Sequence, residues 1–208
     1  MTGLLYETHV TVSCAGPAET ERLRTWARAA GLKLTPIVLA RGRMREQPML
    51  TLAGSASYAE QSARAAGTVA ALRSAGFAPV RVKTESVPWA PEVPDGPCGG
   101  GQYFEHHVKL LLDAGTDLAE LTDRVVPHGA HLSWNARRMR GDGRHERFVT
   151  QRCRGVADGE AGRALERLLA ELGGLEVLCV EREFVLHDSD ESVDDGWLEE
   201  PMAQGVRG

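Results

Sequence analysis

The sequence predicts an α+β protein made of two ferredoxin-like units in tandem, each reading β-α-β-β-α-β over an antiparallel sheet. Three observations carry this expectation. The stretch VPWAPEVPDGPCGGGQ at 87–102 holds four prolines and four glycines, which suits neither a helix nor the interior of a sheet. The same order of strand-like and helix-like patterns then appears on each side of it. Finally, residues match at equivalent places: Glu7 with Glu105, His9 with His107, Lys33 with His131, Thr51 with Thr150, RMR at 43–45 with RMR at 138–140, and VKTESV at 82–87 with VEREFV at 180–185. The expected organisation is repeat one over 1–87, a linker over 88–102, repeat two over 103–187 and an acidic tail over 188–208. A single continuous α+β sheet is the competing arrangement.

Each element has its own signal. Residues 5–14 alternate Tyr6, Thr8, Val10, Val12 against Glu7, His9, Thr11, Ser13, the period of a strand. AETERLRTWARAA at 18–30 reads as a helix that ends at Gly31. LKLTPIVLA and PMLTLAG follow as strands, then a helix from Tyr58 to Gly76 and a closing strand, APVRVKTESV. In the second half QYFEHHVKLLL is the first strand and DLAELTDRVV the first helix. HLSWNARRMR (131–140) and ERFVTQRC (146–153) are strands about a Gly141-Asp142-Gly143 turn. EAGRALERLLAELGG is the second helix, and LEVLCVEREFVLH closes the half.

Composition narrows the class. A chain of 208 residues with 42% hydrophobic and 25% charged residues matches an ordinary globular protein that can bury a core. No apolar run approaches the roughly 18 residues of a membrane span, and no signal segment is evident. Cys14, Cys98, Cys153 and Cys179 are scattered, which argues against a disulfide framework or a cysteine zinc site and for a reducing cytoplasm. The net charge of −5 is uneven. Seven acids and one base lie from Asp188 onward, so the body is near neutral and the tail acidic. The tail lacks calcium-loop spacing and reads as solvated, with Trp197 and Leu198 as an anchor that could lie against the arginine hairpin described below.

The candidate site comes from alternation. A ferredoxin-like sheet covers one face with helices, and period two places Tyr6, Val10, Val12, Phe104, Val108 and Leu110 on that side. His106 falls there too and reads as a core histidine. The opposite face then receives Glu7, His9, Glu105, His107 and Lys109, with Lys83, Glu85, Glu181 and Glu183 from the last strands. If the two open faces meet about a pseudo-twofold axis, the paired Glu-x-His strands converge in one polar cleft. A carboxylate beside an imidazole can raise its pKa and set up general acid–base chemistry. Alternatively Glu7, His9, Glu105 and His107 could hold a divalent metal with mixed nitrogen and oxygen ligands. The same pattern is also what a solvated sheet surface looks like.

Residues 137–154, RRMRGDGRHERFVTQRCR, hold seven arginines against two acids. Guanidinium forks suit carboxylate and phosphate, so Arg138, Arg140 and Arg144, with Arg43 from the equivalent hairpin and Lys83 and Lys109 from the sheet, are the candidate substrate-binding cations.

HVTV at 9–12 resembles the His-x-Thr box of two-histidine phosphoesterases, a family with duplicated halves, which implies phosphoester chemistry. The second copy, HVKL, departs from that box: Lys109 replaces the hydroxyl residue, and the strand stands elsewhere in the β-α-β order. No family is assigned on it. Phosphate-loop, dinucleotide, nucleophile-elbow and RNA-recognition signatures are absent. The functional expectation is a cytoplasmic, monomeric hydrolase, of phosphoesterase type, acting on a small anionic substrate by acid–base or metal-assisted attack. The cofactor is unknown, a divalent metal being the candidate. A non-catalytic module binding a nucleotide, metabolite or RNA is the alternative, with nucleic acid not favoured and no membrane partner. A structural or partner-regulating protein, contacting others through Trp89 and Trp197, is the third class.

Overall fold

The computed structural model describes residues 5–39, 43–133 and 140–196. Within them one antiparallel sheet of eight strands carries four α-helices. The chain order is β1 (Tyr6–Ser13), α1 (Pro17–Ala29), β2 (Lys33–Val38), β3 (Glu46–Ser55), α2 (Tyr58–Ser74) and β4 (Ala78–Ser86). It continues as β5 (Tyr103–Leu112), α3 (Leu118–Val125), β6 (Ala130–Leu132), β7 (His145–Arg154), α4 (Asp158–Glu171) and β8 (Glu176–Asp188). Most of the strand expected over 131–140 lies outside the described residues, as do Arg138, Trp197 and Leu198.

Local chemistry accounts for the helices. Pro17 opens α1, where its missing N–H would have had no intrahelical partner. Gly31, at φ +67°, turns the chain out of it. The hydroxyl of Ser57 accepts from the Glu60 N–H at 3.2 Å to cap α2. Asp117 accepts from the N–H groups of Ala119 and Glu120 to cap α3.

The strands lie in the order β2-β3-β1-β4-β8-β5-β7-β6. Each half therefore follows one arrangement, with its fourth strand beside its first, then its third, then its second. The halves are joined edge to edge, because β4 pairs with β8 and sets Lys83 opposite Asp188 and Ser86 opposite Phe184. This corrects the expectation of two open faces meeting across a cleft: the open faces are one continuous surface. The physical reason is that β4 and β8 would each be the bare edge of a four-stranded sheet. Pairing them over Lys83–Ser86 and Phe184–Asp188 satisfies N–H and C=O groups of both edges at once.

Three apolar clusters lie under the helices. Val10, Leu23, Leu50, Leu72 and Phe77 centre the first, and Val108, Leu110, Leu121, Val149 and Leu168 the second. The third fills the seam: Tyr6, Phe104, Phe184 and Leu186 pack with Ala90 and Cys98 of the Pro/Gly-rich stretch. Phe104 and Phe184 have ring centroids 4.8 Å apart. That stretch is thus a wedge at the joint, tied down by Val87 N–H to the Leu5 carbonyl and Cys98 N–H to the Val156 carbonyl.

Candidate functional site

Alternation along the strands delivers side chains to the open face as the sequence implies. Glu7, His9 and Thr11 of β1, Lys83 and Glu85 of β4, and Glu105 and His107 of β5 line one cavity of about 260 Å³. Glu181 and Glu183 of β8 and Thr150 and Arg152 of β7 complete its polar wall, while Ile37, Met49 and Phe148 supply an apolar side.

The two histidines are held alike. His9 places Nδ1 3.2 Å from the Thr51 hydroxyl and Nε2 2.9 Å from Glu85 and 3.5 Å from Glu7. His107 places Nδ1 3.0 Å from the Thr150 hydroxyl and Nε2 3.2 Å from Glu105 and 3.3 Å from Glu183. Register explains the likeness: His9 pairs with Thr51 and His107 with Thr150, directly across the ladder. When a threonine oxygen fixes Nδ1, the Nε2 lone pair or proton is aimed at the carboxylates.

Between the two histidines runs a chain of charge. The Lys83 ammonium touches Glu85 and lies 2.6 Å from Glu105. The Arg152 guanidinium grips the other Glu105 oxygen and donates to Asp194 at 2.8 Å. Arg81 donates to Asp194 and, through Nε, to Asp188, both at 2.8 Å. Tyr103 donates to Asp188 at 2.8 Å and lies under Arg152, whose guanidinium is 5.1 Å from the ring centre.

Burial and neighbours set the protonation states. Burial alone would raise the Glu105 carboxyl, but Arg152 and Lys83 hold it well below the usual range. Glu85 is likewise pushed up by burial and pulled below the ordinary carboxylate by Lys83 and His9. Burial disfavours the Lys83 ammonium, yet Glu105 and Glu85 outweigh it and keep that charge on. Burial also opposes charge on His107, and the Glu105 and Glu183 carboxylates push it up to about 10. Glu183 is raised by burial and then by the Glu85 charge.

Glu85 is singular. It is 3% exposed, and its two oxygens face different partners, Oε1 the Lys83 ammonium and Oε2 the His9 imidazole at 2.9 Å. A carboxylate buried this deeply depends on both to offset its desolvation.

Glu7, His9, Glu105, His107 and Lys83 are therefore brought together. Arg43, Lys109, Arg140 and Arg144 are not among the cavity lining. Lys109 and Arg140 pair with Glu146, Arg144 with Asp142 and Glu176, and Arg43 with Ser192. Among the described residues of the hairpin, Arg140 and Arg144 pair with local acids, while Arg152 of the same 137–154 stretch lines the cavity. His106 is buried on the helix side, with Nδ1 2.9 Å from Gln151.

Sequence reasoning missed Arg81, Arg152, Asp188 and Asp194. Parity could have found the arginines, since Arg81 alternates with Lys83, and Arg152 with Thr150. Asp188 could not be found that way. A bulge between Thr84 and Glu85 admits one extra residue into β8 and flips its parity. Over its described part, 188–196, the expected solvated tail is corrected, because Asp188 and Asp194 have side chains 0% and 5% exposed against Arg81.

No protein-family model matches the chain, and no curated protein sequence matches it. Among the described residues, no helix is long and apolar enough to cross a membrane.

Proposed function

We propose that the chain is a tandem duplication of ferredoxin-like units, residues 1–87 and 103–187, whose open face binds a divalent metal for hydrolysis of a small anionic, phosphorylated substrate. The observation that carries this reading is the set Glu85, Glu105, His107 and Glu183, whose ligand atoms all lie within 4.8 Å of one another. The identical strand order of the two halves supports the duplication. The four free cysteines fit the cytoplasm as its location.

Charge supports the metal branch over bare acid–base chemistry. Six carboxylates line the cavity against Arg81, Lys83 and Arg152, so an anionic substrate is repelled until a cation is added. A His107 pushed up to about 10 is protonated at neutral pH and makes a poor general base. A metal ion held by Glu85, Glu105, His107 and Glu183 would offset the carboxylates and supply an activated water, with His107 serving as a ligand rather than as a base. One imidazole among carboxylates suits Mn(II), Fe(II) or Zn(II).

Elemental analysis of the purified full chain tests the proposal first. The expected result is bound transition metal that His107→Ala removes, with the fold intact by circular dichroism. A phosphoester screen of the loaded protein should then give turnover that falls roughly 10²–10⁴-fold in the same variant. Metal-free protein that takes up no added Mn(II) or Zn(II) overturns the reading.

A further inference from the structure

The second-half cluster has a counterpart. Glu7, His9 and Glu85 also offer ligand atoms within 4.8 Å of one another. They are the first-half equivalents of Glu105, His107 and Glu183, each histidine braced by its own threonine. The two sets are not separate, because Glu85 belongs to both. Its Oε2 faces His9 at 2.9 Å, and its Oε1 turns the other way, toward Lys83, which bridges on to Glu105.

We propose that the cavity holds two divalent metal ions, one on Glu7 and His9, the other on Glu105, His107 and Glu183, with the Glu85 carboxylate bridging them. This rests on the metal reading above and deepens it. Two facts point to the bridge. Glu85 is buried between the two sets, with Oε2 toward His9 and Oε1 toward Lys83, so its two oxygens face opposite sides as a bridging carboxylate requires. The charge also fits. Glu7, Glu85, Glu105, Glu181 and Glu183 line the cavity with Lys83, and two divalent ions with that ammonium neutralise five carboxylates. Arg81 and Arg152 are already balanced by Asp188 and Asp194. Lys83 is then the resident cation that bridges Glu85 and Glu105 and swings aside when ions enter. Paired ions about 3.5–4 Å apart would clamp both the attacking and the leaving oxygen of a phosphoryl group, which suits the phosphorylated substrate proposed above.

The test is Mn(II) added to metal-stripped full-length protein, read by equilibrium dialysis and by electron paramagnetic resonance. The expected result is about two ions per chain and the narrowed hyperfine spacing of an exchange-coupled pair. Glu7→Gln, at a side chain 39% exposed and so harmless to folding, should leave one ion and abolish the coupled signal. Glu85→Gln should abolish coupling as well. One ion per chain that depends on His107 and not on His9 overturns the bridge and leaves the single-metal reading standing. Two uncoupled ions also overturn it. No binding at all overturns both.

Discussion

His9 and His107 hold the same place in the two halves, each with a threonine behind it and two glutamates in front. What differs is across the ladder. His9 faces Lys83, whereas His107 faces Glu181; Glu7 shares its row with Ala53, whereas Glu105 shares its row with Arg152. Glu7 is accordingly 39% exposed, while Glu105 is 1% exposed and gripped by Arg152, Lys83 and His107. At this pair of glutamates the second half is locked by charge and the first is open, whereas at Glu85 and Glu183 the order reverses, 3% against 25% exposed. A repeated motif fixes which side chains are offered; the neighbouring strand decides how tightly they are held.

The comparison breaks most decisively at those two glutamates. Glu105→Ala strands Lys83 and Arg152 in a buried site and should lose roughly 3–5 kcal/mol. Glu7→Ala removes a half-exposed group and should stay within about 1 kcal/mol. Urea denaturation of both variants measures the difference, and equal losses would refute the asymmetry. Lys83→Met sharpens the same point. Without metal it leaves Glu85 and Glu105 short of a cation and should cost about 2–4 kcal/mol. If the proposed ion binds the folded state, saturating Mn(II) should restore the loss by linkage.

A smaller effect separates the network from the surface. Asp188 is pushed up by burial but held below its ordinary value by Arg81. A carboxyl lowered on folding stabilises fully above its unfolded pKa, roughly 4, and that contribution fades as pH falls through the folded value. Wild-type protein should therefore lose stability relative to Asp188→Asn as pH drops below about 4, and the two should run parallel above it. The smallest effect is expected at Trp89, which is 75% exposed. Trp89→Ala should change stability by no more than about 0.5 kcal/mol, and any loss would then appear only in partner binding.

Much of this was legible in the chain, for definite reasons. Strand alternation put Glu7, His9, Glu105 and His107 on one face, and repeat matching linked Thr51 to Thr150. Period two is a property of the backbone, so it survives without knowledge of the fold. The edge-to-edge joint was not legible, because nothing in a strand's own sequence names its neighbour. Asp188 was hidden by a bulge, and Asp194 by a 3₁₀ turn over Glu191–Asp194 that brings an acid back under the sheet. The arginine hairpin misled for another reason. Arginine density signals affinity for anions but not whose, and here Glu146, Asp142 and Glu176 take Arg140 and Arg144.

The β4–β8 seam also has a temporal meaning. Its pairs, such as Lys83 with Asp188, join the most distant residues of the sheet, whereas each half closes through nearer pairs such as Ser13 with Ala78 and Leu111 with Glu176. Such distant pairing forms slowly in a folding chain. The halves should therefore gain their own hydrogen-exchange protection early, and Ser86 and Phe184 should gain theirs last. Glu85 and Glu105 stand on opposite sides of that seam, so the polar cluster comes into being only with the final docking step. An ion seated there would act as a late clasp. It would leave the folding rate nearly unchanged and slow unfolding instead, giving the loaded protein a longer lifetime than its equilibrium stability alone would suggest.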